Sequence, residues 1–540
     1  MNNQKKTGYE WWKDAVVYQV YPRSFSDSNG DGIGDIPGIL TKLDYLAELG
    51  VDAIWLSPVY CSPQYDNGYD ISDYRAIDPI FGTMDDMDRL IQEADRRGIR
   101  ILMDLVLNHS SDEHFWFREA CKSRDNPYHD YYIWRDEPNE MKAGFGGPAW
   151  KWVPEVGQYY FFQFSPRQPD LNWDNPKVRQ ELYDMIRWWR GKGIGGFRLD
   201  VVNHLGKDPD RQITTDGPRL HEYIREMSRE AFSGAELLTV GEAWSATPER
   251  AKLYSCPDGS ELSMVFQFQH ILLDQQENGD KWDLAPLPLV KLKAVMTEWQ
   301  QGLANCGWNS LFLENHDLPR IVSRWANDGK YRAEAAKMLA ALLFGLQGTP
   351  FVYQGQELGM TNAGELSLDD YLDIETLDMI RARRKKGVPE EEILRSARAK
   401  SRDNARTPMQ WDGSGNAGFS SGKPWLPVNS DYREVNAETE RKDPDSVFHF
   451  YRKLICLRRE YSVFRDGSFE MLLPEDGNLV VYKRKTADAE LLVICNFRNR
   501  TLENPLTLPQ ASSLLIGNYR DNSQTEVLRP YEARIYISGI

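Results

Sequence analysis

A chain of 540 residues exceeds one ordinary domain and has the length of about two to four structural units. Its 41% content of hydrophobic residues excludes a disordered chain. With 65 Lys and Arg against 81 Asp and Glu, the net charge is −16, and no basic run is concentrated enough to serve as a nucleic-acid footprint.

The chain opens MNNQKKTGYEWWKDAVVYQVYP, without the apolar core of a secretion signal, and no run of about 18 apolar residues follows. A cytoplasmic protein with no membrane segment is the expectation. Eight apolar, β-rich runs then come in turn: AVVYQVYP (15–22), DAIWLSPV (52–59), IRILMDLVLNH (99–109), GIGGFRLDVV (193–202), ELLTVGEA (236–243), SMVFQF (263–268), NSLFLENHD (309–317) and TPFVYQG (349–355). Helical patterns such as MDDMDRLIQEADRRG and VRQELYDMIRWWRGKG lie between most of them. Eight strand-then-helix units predict an α/β fold, a (β/α)8 barrel. The competing doubly wound sheet would carry a glycine-rich phosphate turn after its first strand, and none is present.

One interval is too long. Between the third and fourth runs the stretch 110–174 is rich in Asp, Pro, Gly and aromatics, which predicts an inserted subdomain. Beyond about 460 the pattern changes to alternating strands (SFEMLLP, NLVVYKRK, ELLVICNF, ARIYISG), a C-terminal antiparallel β-domain of sandwich-like type. The expected division is therefore 1–109 with 175–460 as the barrel, 110–174 as the insertion and 461–540 as the β-domain. The six cysteines are scattered, with no CxxC, and read as reduced thiols in the core.

In a barrel of this type, polar residues at the C-terminal ends of the strands line the active site. Asp200, Glu242 and Asp317 stand at three such ends, and Asp104 lies in a run closing with Asn108 and His109. Two carboxyl groups flanking one bond are what glycoside hydrolysis requires. Alternation puts Arg198 on the face of Asp200, where its charge would keep that aspartate ionised.

These residues also carry a resemblance. DLVLNH (104–109), GFRLDVVN (196–203), VGEAW (240–244) and ENHD (314–317) resemble, in order, the four short motifs of the α-amylase superfamily, glycoside hydrolase family 13. The resemblance implies Asp200 as nucleophile, Glu242 as general acid/base and Asp317 as transition-state stabiliser. His109 and His316 would bind hydroxyls of the reacting glucose, and Arg198 would orient the nucleophile. DNGYDISDY (66–74), QPDLNW (168–173) and RDNARTPMQW (402–411) are similar to stretches of oligo-1,6-glucosidases and dextran glucosidases. That likeness implies Asp66 and Arg402 gripping the non-reducing glucose, Tyr69 stacked on its ring, and Phe145, Phe164 and Gln168 lining a blocked, exo-acting pocket. Trp244, Lys281 and Glu375 match residues of the acceptor side, and a valine at position 201 goes with α-1,6 preference. One departure is visible: Leu313, Glu314 and Asn315 replace the Trp-Asn-Asn usual in dextran glucosidases.

DSNGDGIGD (27–35) has oxygen-bearing residues Asp27, Asn29, Asp31 and Asp35 at positions 1, 3, 5 and 9 of an EF-hand-like loop, with Gly32 at the turn and Ile33 offering a carbonyl. Position 12 is Gly38, so the bidentate glutamate is missing. A structural Ca2+ is expected there, and the resemblance agrees.

The function expected is a retaining exo-α-glucosidase acting on α-1,6 linkages of isomalto-oligosaccharides, panose or dextran fragments. An α-1,4-glucosidase, a trehalose-6-phosphate hydrolase and a sucrose isomerase are the alternatives within the family. A non-catalytic α-glucosidase-like binding protein is the alternative of another class. A monomer is the simplest expectation and a homo-oligomer the alternative.

Overall fold

The computed structural model of the protein describes residues 10–144, 146–364, 366–508 and 511–539. Eight parallel strands form the central sheet: β1 (Val17–Val20), β2 (Ala53–Leu56), β3 (Arg100–Leu105), β4 (Gly196–Leu199), β5 (Leu238–Glu242), β6 (Met264–Phe266), β7 (Ser310–Leu311) and β8 (Thr349–Tyr353). Hydrogen-bonded neighbours run β6-β5-β4-β3-β2-β1-β8-β7. A parallel bridge between Val265 and Asn309 joins β6 to β7 and brings the ring round to a (β/α)8 barrel.

The strands are short and almost wholly buried, because helices cover the outside and side chains fill the inside. The helix Met84–Arg96 illustrates the outer layer. A capping box between Thr83 and Asp86 starts it, and Met87, Leu90, Ile91 and Ala94 present one apolar stripe to the sheet. Helix Pro176–Gly191 begins on Asn175 with proline in its first turn, where the missing N–H costs nothing. Gly196 permits the close approach of β4 to β5: a Cβ there would lie 2.1 Å from the carbonyl oxygen of Leu238.

The stretch after β3 leaves the barrel and carries a three-stranded antiparallel sheet with Gln158–Phe161 between Trp134–Arg135 and Trp150–Val153. Its two ends are tied together at the barrel rim. His109 bridges Asp170, and the Asp170 carboxylate accepts from Asn108 (3.1 Å) and pairs with buried Lys207 (3.1 Å).

The C-terminal sheet is antiparallel, in the order β9 (Ser468–Leu472), β10 (Leu479–Lys485), β11 (Ala489–Asn496), β13 (Ala533–Gly539), β12 (Ser513–Gly517). The sequence pattern predicts four of these. The fifth, β12, is an edge strand whose first residues are exposed, so it lacks the alternation that marks a half-buried strand. The sheet docks on helix Arg332–Phe344. Tyr482 donates to the carbonyl of Leu342 (2.7 Å), and buried Arg484 donates to the carbonyls of Gly345 (3.0 Å) and Phe464 (3.1 Å).

All six cysteines are free, but only Cys495 is buried. Cys456 is exposed and the other four are half-buried, so the expectation of a core position holds for one of six. No described helix is long and apolar enough to cross a membrane.

Candidate active site

Parallel pairing builds the floor of the site. The register of β3 and β4 places Asp104 beside Arg198, and alternation along β4 brings Arg198 to the same side as Asp200. The Arg198 guanidinium, 2% exposed, then serves three carboxylates at once. It donates to Asp104 Oδ1 (2.9 Å), to Asp200 Oδ1 (2.8 Å) and, through its other terminal nitrogen, to Glu242 Oε2. Trp55 lies beneath, donating to Asp104 Oδ2 (3.1 Å) with its ring 5.2 Å from the guanidinium.

One cation is thus shared among three buried carboxyl groups. Burial pushes Asp200 well above its ordinary value; Arg198 pulls it down, and the charges of Glu242 and Asp104 push it up again. Asp104 is raised to about 6 by the same burial, against the pull of Arg198. Arg198 favours the ionised form of Asp200, in the direction expected, while its charge is divided among three carboxyl groups.

Val201 is not reached by strand alternation. The strand has ended, and Val201 adopts a left-handed conformation (φ 35°, ψ 46°). For a β-branched residue this stores about 1–3 kcal/mol of strain. Two things result: its N–H donates to Glu242 Oε2 (3.1 Å), and its side chain turns to the cavity wall.

Around this floor is a cavity of about 400 Å3, within the usual range for small-molecule sites. At its closed end, Tyr69 stacks on His316 (5.5 Å between centroids, 11° between planes), and its hydroxyl lies 2.7 Å from His316 Nε2. Asp66 accepts from Gln168 (3.1 Å), whose side-chain nitrogen also lies 3.2 Å from His109 Nε2. Phe164 packs edge-on against His109. Arg402 spans this end, 3.6 Å from Asp66, 3.2 Å from Asp317 and doubly bonded to Asp373. Burial opposes the ionisation of Asp317, but His316, Arg402 and Arg406 outweigh it and hold this carboxyl below the usual range. The guanidiniums carry that effect at neutral pH, because burial drives His316 itself down to about 3.

The open end is built differently. Trp244, 40% exposed, stacks on Phe268 at 3.8 Å and donates to Glu242 Oε1 (2.9 Å), while Lys281 pairs with Glu375 across the mouth. Of the residues singled out in the sequence, Gln168, Arg198 and His316 stand behind the cavity wall rather than on it. Phe145 lies outside the described residues. Asp373 and Arg406 escaped sequence reasoning. Arg406 could have been found, standing four residues after Arg402 on one helical turn; Asp373, some thirty positions away, carries no such signal.

The departure at 313–315 is structural. Leu313 is buried, and Glu314 turns inward to accept from the N–H of Ile321 (2.6 Å) and from Arg320 (3.2 Å). Asn315 accepts from the N–H of Asp317 (2.8 Å) and so fixes the turn that presents Asp317.

Residues 19–467 match the alpha-amylase catalytic domain family. The chain belongs to the alpha-amylase family, and it is a glycoside hydrolase. It is 54% identical over 529 residues to a glucan 1,6-alpha-glucosidase of Streptococcus pneumoniae, covering 97% of this chain and 98% of that one. It is 51% identical over 555 residues to an oligo-1,6-glucosidase of Halalkalibacterium halodurans, covering 98% and 99%. Among solved structures, a trehalose-6-phosphate hydrolase of Bacillus licheniformis superposes with a TM-score of 0.94 at 47% identity, covering 98% of this chain and 100% of that one.

The 27–35 loop lies apart from the cavity, against residues 419–425. Asp27 accepts from the N–H groups of Asn29, Gly30 and Gly32 and from Ser420. Asn29 and Asp31 each accept from the N–H two residues on, and Asp35 caps the following helix through Gly38. Gly32 (φ 90°) is required there, since a Cβ would lie 1.9 Å from the carbonyl oxygen of Lys423. Burial raises Asp35, and the nearby charge of Asp27 adds to it, an excess that a divalent cation would relieve. The all-oxygen set suits a hard cation. Among the described residues no three acidic, His or Cys side chains gather at one point, so an ion would have to draw Asp27, Asp31 and Asp35 together with Asn29 and the Ile33 carbonyl.

Asp66 is raised by burial to about 6, and its carboxylate is charged above that value and protonated below it. Burial holds His109 and His316 near 3, so both stay neutral from pH 5 to 8. The acid limb of kcat/KM on an α-glucoside is therefore expected to have its midpoint near 6 and to belong to carboxylates. A midpoint near 4, the range of an ordinary exposed carboxylate, would count against it.

Proposed function

We propose that the protein is a retaining exo-α-glucosidase that hydrolyses α-1,6 linkages at the non-reducing end of isomalto-oligosaccharides, panose or dextran fragments and releases α-glucose. The observation that carries this reading is the meeting of Asp200 and Glu242 on one guanidinium, in a cavity closed by Asp66, Arg402 and Asp317. Asp200 attacks the anomeric carbon while Glu242 protonates the departing oxygen, and Glu242 then takes a proton from the water that frees the glucose. Asp317, kept ionised by two guanidiniums, faces the positive charge that develops on the sugar ring. Asp66, His109 and Arg402 address the hydroxyls of the glucose at the closed end, Gln168 and His316 hold Asp66, His109 and Tyr69 from behind, and Tyr69 and Phe164 are its apolar walls. Trp244, Lys281 and Glu375 receive the leaving sugar.

For the linkage, the reading rests on Val201 and on the names of the two curated relatives. The strained turn leans the γ-methyls of Val201 into the cavity beside Glu242, and an α-1,6 bond has an extra rotatable carbon with which to pass them. The trehalose-6-phosphate hydrolase relative makes a phosphorylated substrate the second reading; glucose release from isomaltose, maltose, sucrose and trehalose 6-phosphate separates the alternatives. We place the protein in the cytoplasm as a monomer, in keeping with its six free thiols.

Asp200→Asn is expected to fold normally and lose nearly all activity, and proton NMR of the unaltered enzyme's product should show α-glucose first. Initial β-glucose would overturn retention. Val201→Ala should raise the maltose-to-isomaltose ratio of kcat/KM by about tenfold or more, the size expected when one small steric clash is relieved. An unmoved ratio would mean that the linkage is read elsewhere.

We also propose a structural Ca2+ held by Asp27, Asn29, Asp31, Asp35 and the carbonyl of Ile33, far from the scissile bond. A ligand bound only by the folded state stabilises by about 2.7 kcal/mol at a hundredfold excess over Kd. Chelation is expected to lower Tm while leaving the rate at 25 °C nearly unchanged. Superimposable melting curves would remove the ion from the account.

A further inference from the structure

Beyond the mouth of the active-site cavity a second depression begins, of about 420 Å3. The two share Gly144 and Glu375, so one runs into the other. The shared edge is the Lys281–Glu375 ion pair, with Lys281 also lying 4.7 Å over the ring of Trp282.

The long wall of this groove is one face of a single helix. Glu375, Asp378, Met379, Ala382, Arg383 and Lys386 line it, at the i, i+3, i+4, i+7, i+8, i+11 spacing that puts side chains on one stripe. From Glu375 to Lys386 that stripe runs about 16 Å at 1.5 Å per residue. It starts in the catalytic cavity and leads away from the Asp200–Glu242 pair. The facing wall is the turn containing Asp280, Trp282 and Asp283, and Arg383 ties the two walls together by donating to Asp283 (2.7 Å).

We propose that this groove is a distal subsite that holds the reducing-end glucose units of longer neutral α-1,6-linked chains while the non-reducing end is cut. The inference rests on the α-1,6-glucosidase reading above and adds a chain-length preference to it. Charge selects the occupant. The lining carries five carboxylates against two cations, so it repels a phosphorylated or otherwise anionic ligand. Carboxylate and guanidinium groups held in mutual pairs offer fixed acceptors and donors to sugar hydroxyls, and half-buried Val388 supplies apolar surface for a ring face, over the buried Met379.

Ala382 is exposed on the helix face and lines the groove but not the catalytic cavity. Ala382→Trp therefore fills the groove and leaves the cavity intact. The readout is the ratio of kcat/KM on isomaltopentaose to kcat/KM on isomaltose. The substitution is expected to lower that ratio about tenfold, with isomaltose turnover within about twofold of the unaltered protein, as for a single blocked subsite. Lys386→Ala, which removes a donor without adding bulk, should move the ratio in the same direction by a smaller factor. A ratio unchanged in Ala382→Trp overturns the groove alone, because isomaltose is still cleaved. Failure of the unaltered protein to release glucose from isomaltose overturns the linkage reading and the groove with it.

Discussion

One guanidinium shared by three carboxyl groups is the constraint on which the rest of the structure depends. Arg198 cannot satisfy Asp104, Asp200 and Glu242 equally, and burial removes the water that would otherwise do so. Burial raises Asp104 and Asp200 above the ordinary carboxylate value against the pull of this one cation. The barrel makes this arrangement stable by bringing the groups from different strands into register, with Trp55 and Tyr69 closing the cluster off from the core. Leaving any one partner out would expose the others to an uncompensated buried charge, which is why the site is a single electrostatic unit rather than three residues.

Opposite this carboxylate-rich floor stands the reverse arrangement. Arg402 and Arg406 converge on Asp317 and Asp373, so the far wall holds charge in balanced pairs. The same residue type behaves in two ways because its surroundings differ: burial with a divided cation raises Asp200, and burial with two whole cations lowers Asp317.

Much of this was legible in the sequence. All eight barrel strands follow from apolar, β-branched runs, and Asp200, Glu242 and Asp317 from their places at strand ends. What escaped has physical reasons. Val201 could not be placed by alternation, because the left-handed turn that aims it is a property of the chain reversal and not of residue preference. Asp373 joins the site only through a helix cap and partners far along the chain, and no local pattern records that. At 309–317 a long apolar run yields only the two-residue strand β7, since the remainder is spent on presenting Asp317. The small β12 was invisible for want of a buried face.

The wall formed by Asp66, Arg402 and Asp373 has a consequence for the traffic of products. On the exo-acting reading proposed above, this wall closes the inner end, and the shortened chain leaves before the glucose behind it. Each cut therefore ends with the chain released into solution, and the enzyme cannot slide along a polymer to its next bond. Free glucose, fitting the innermost position by itself, competes with every incoming chain end. Turnover on a long glucan is thus a series of separate encounters, slowed as the liberated sugar accumulates.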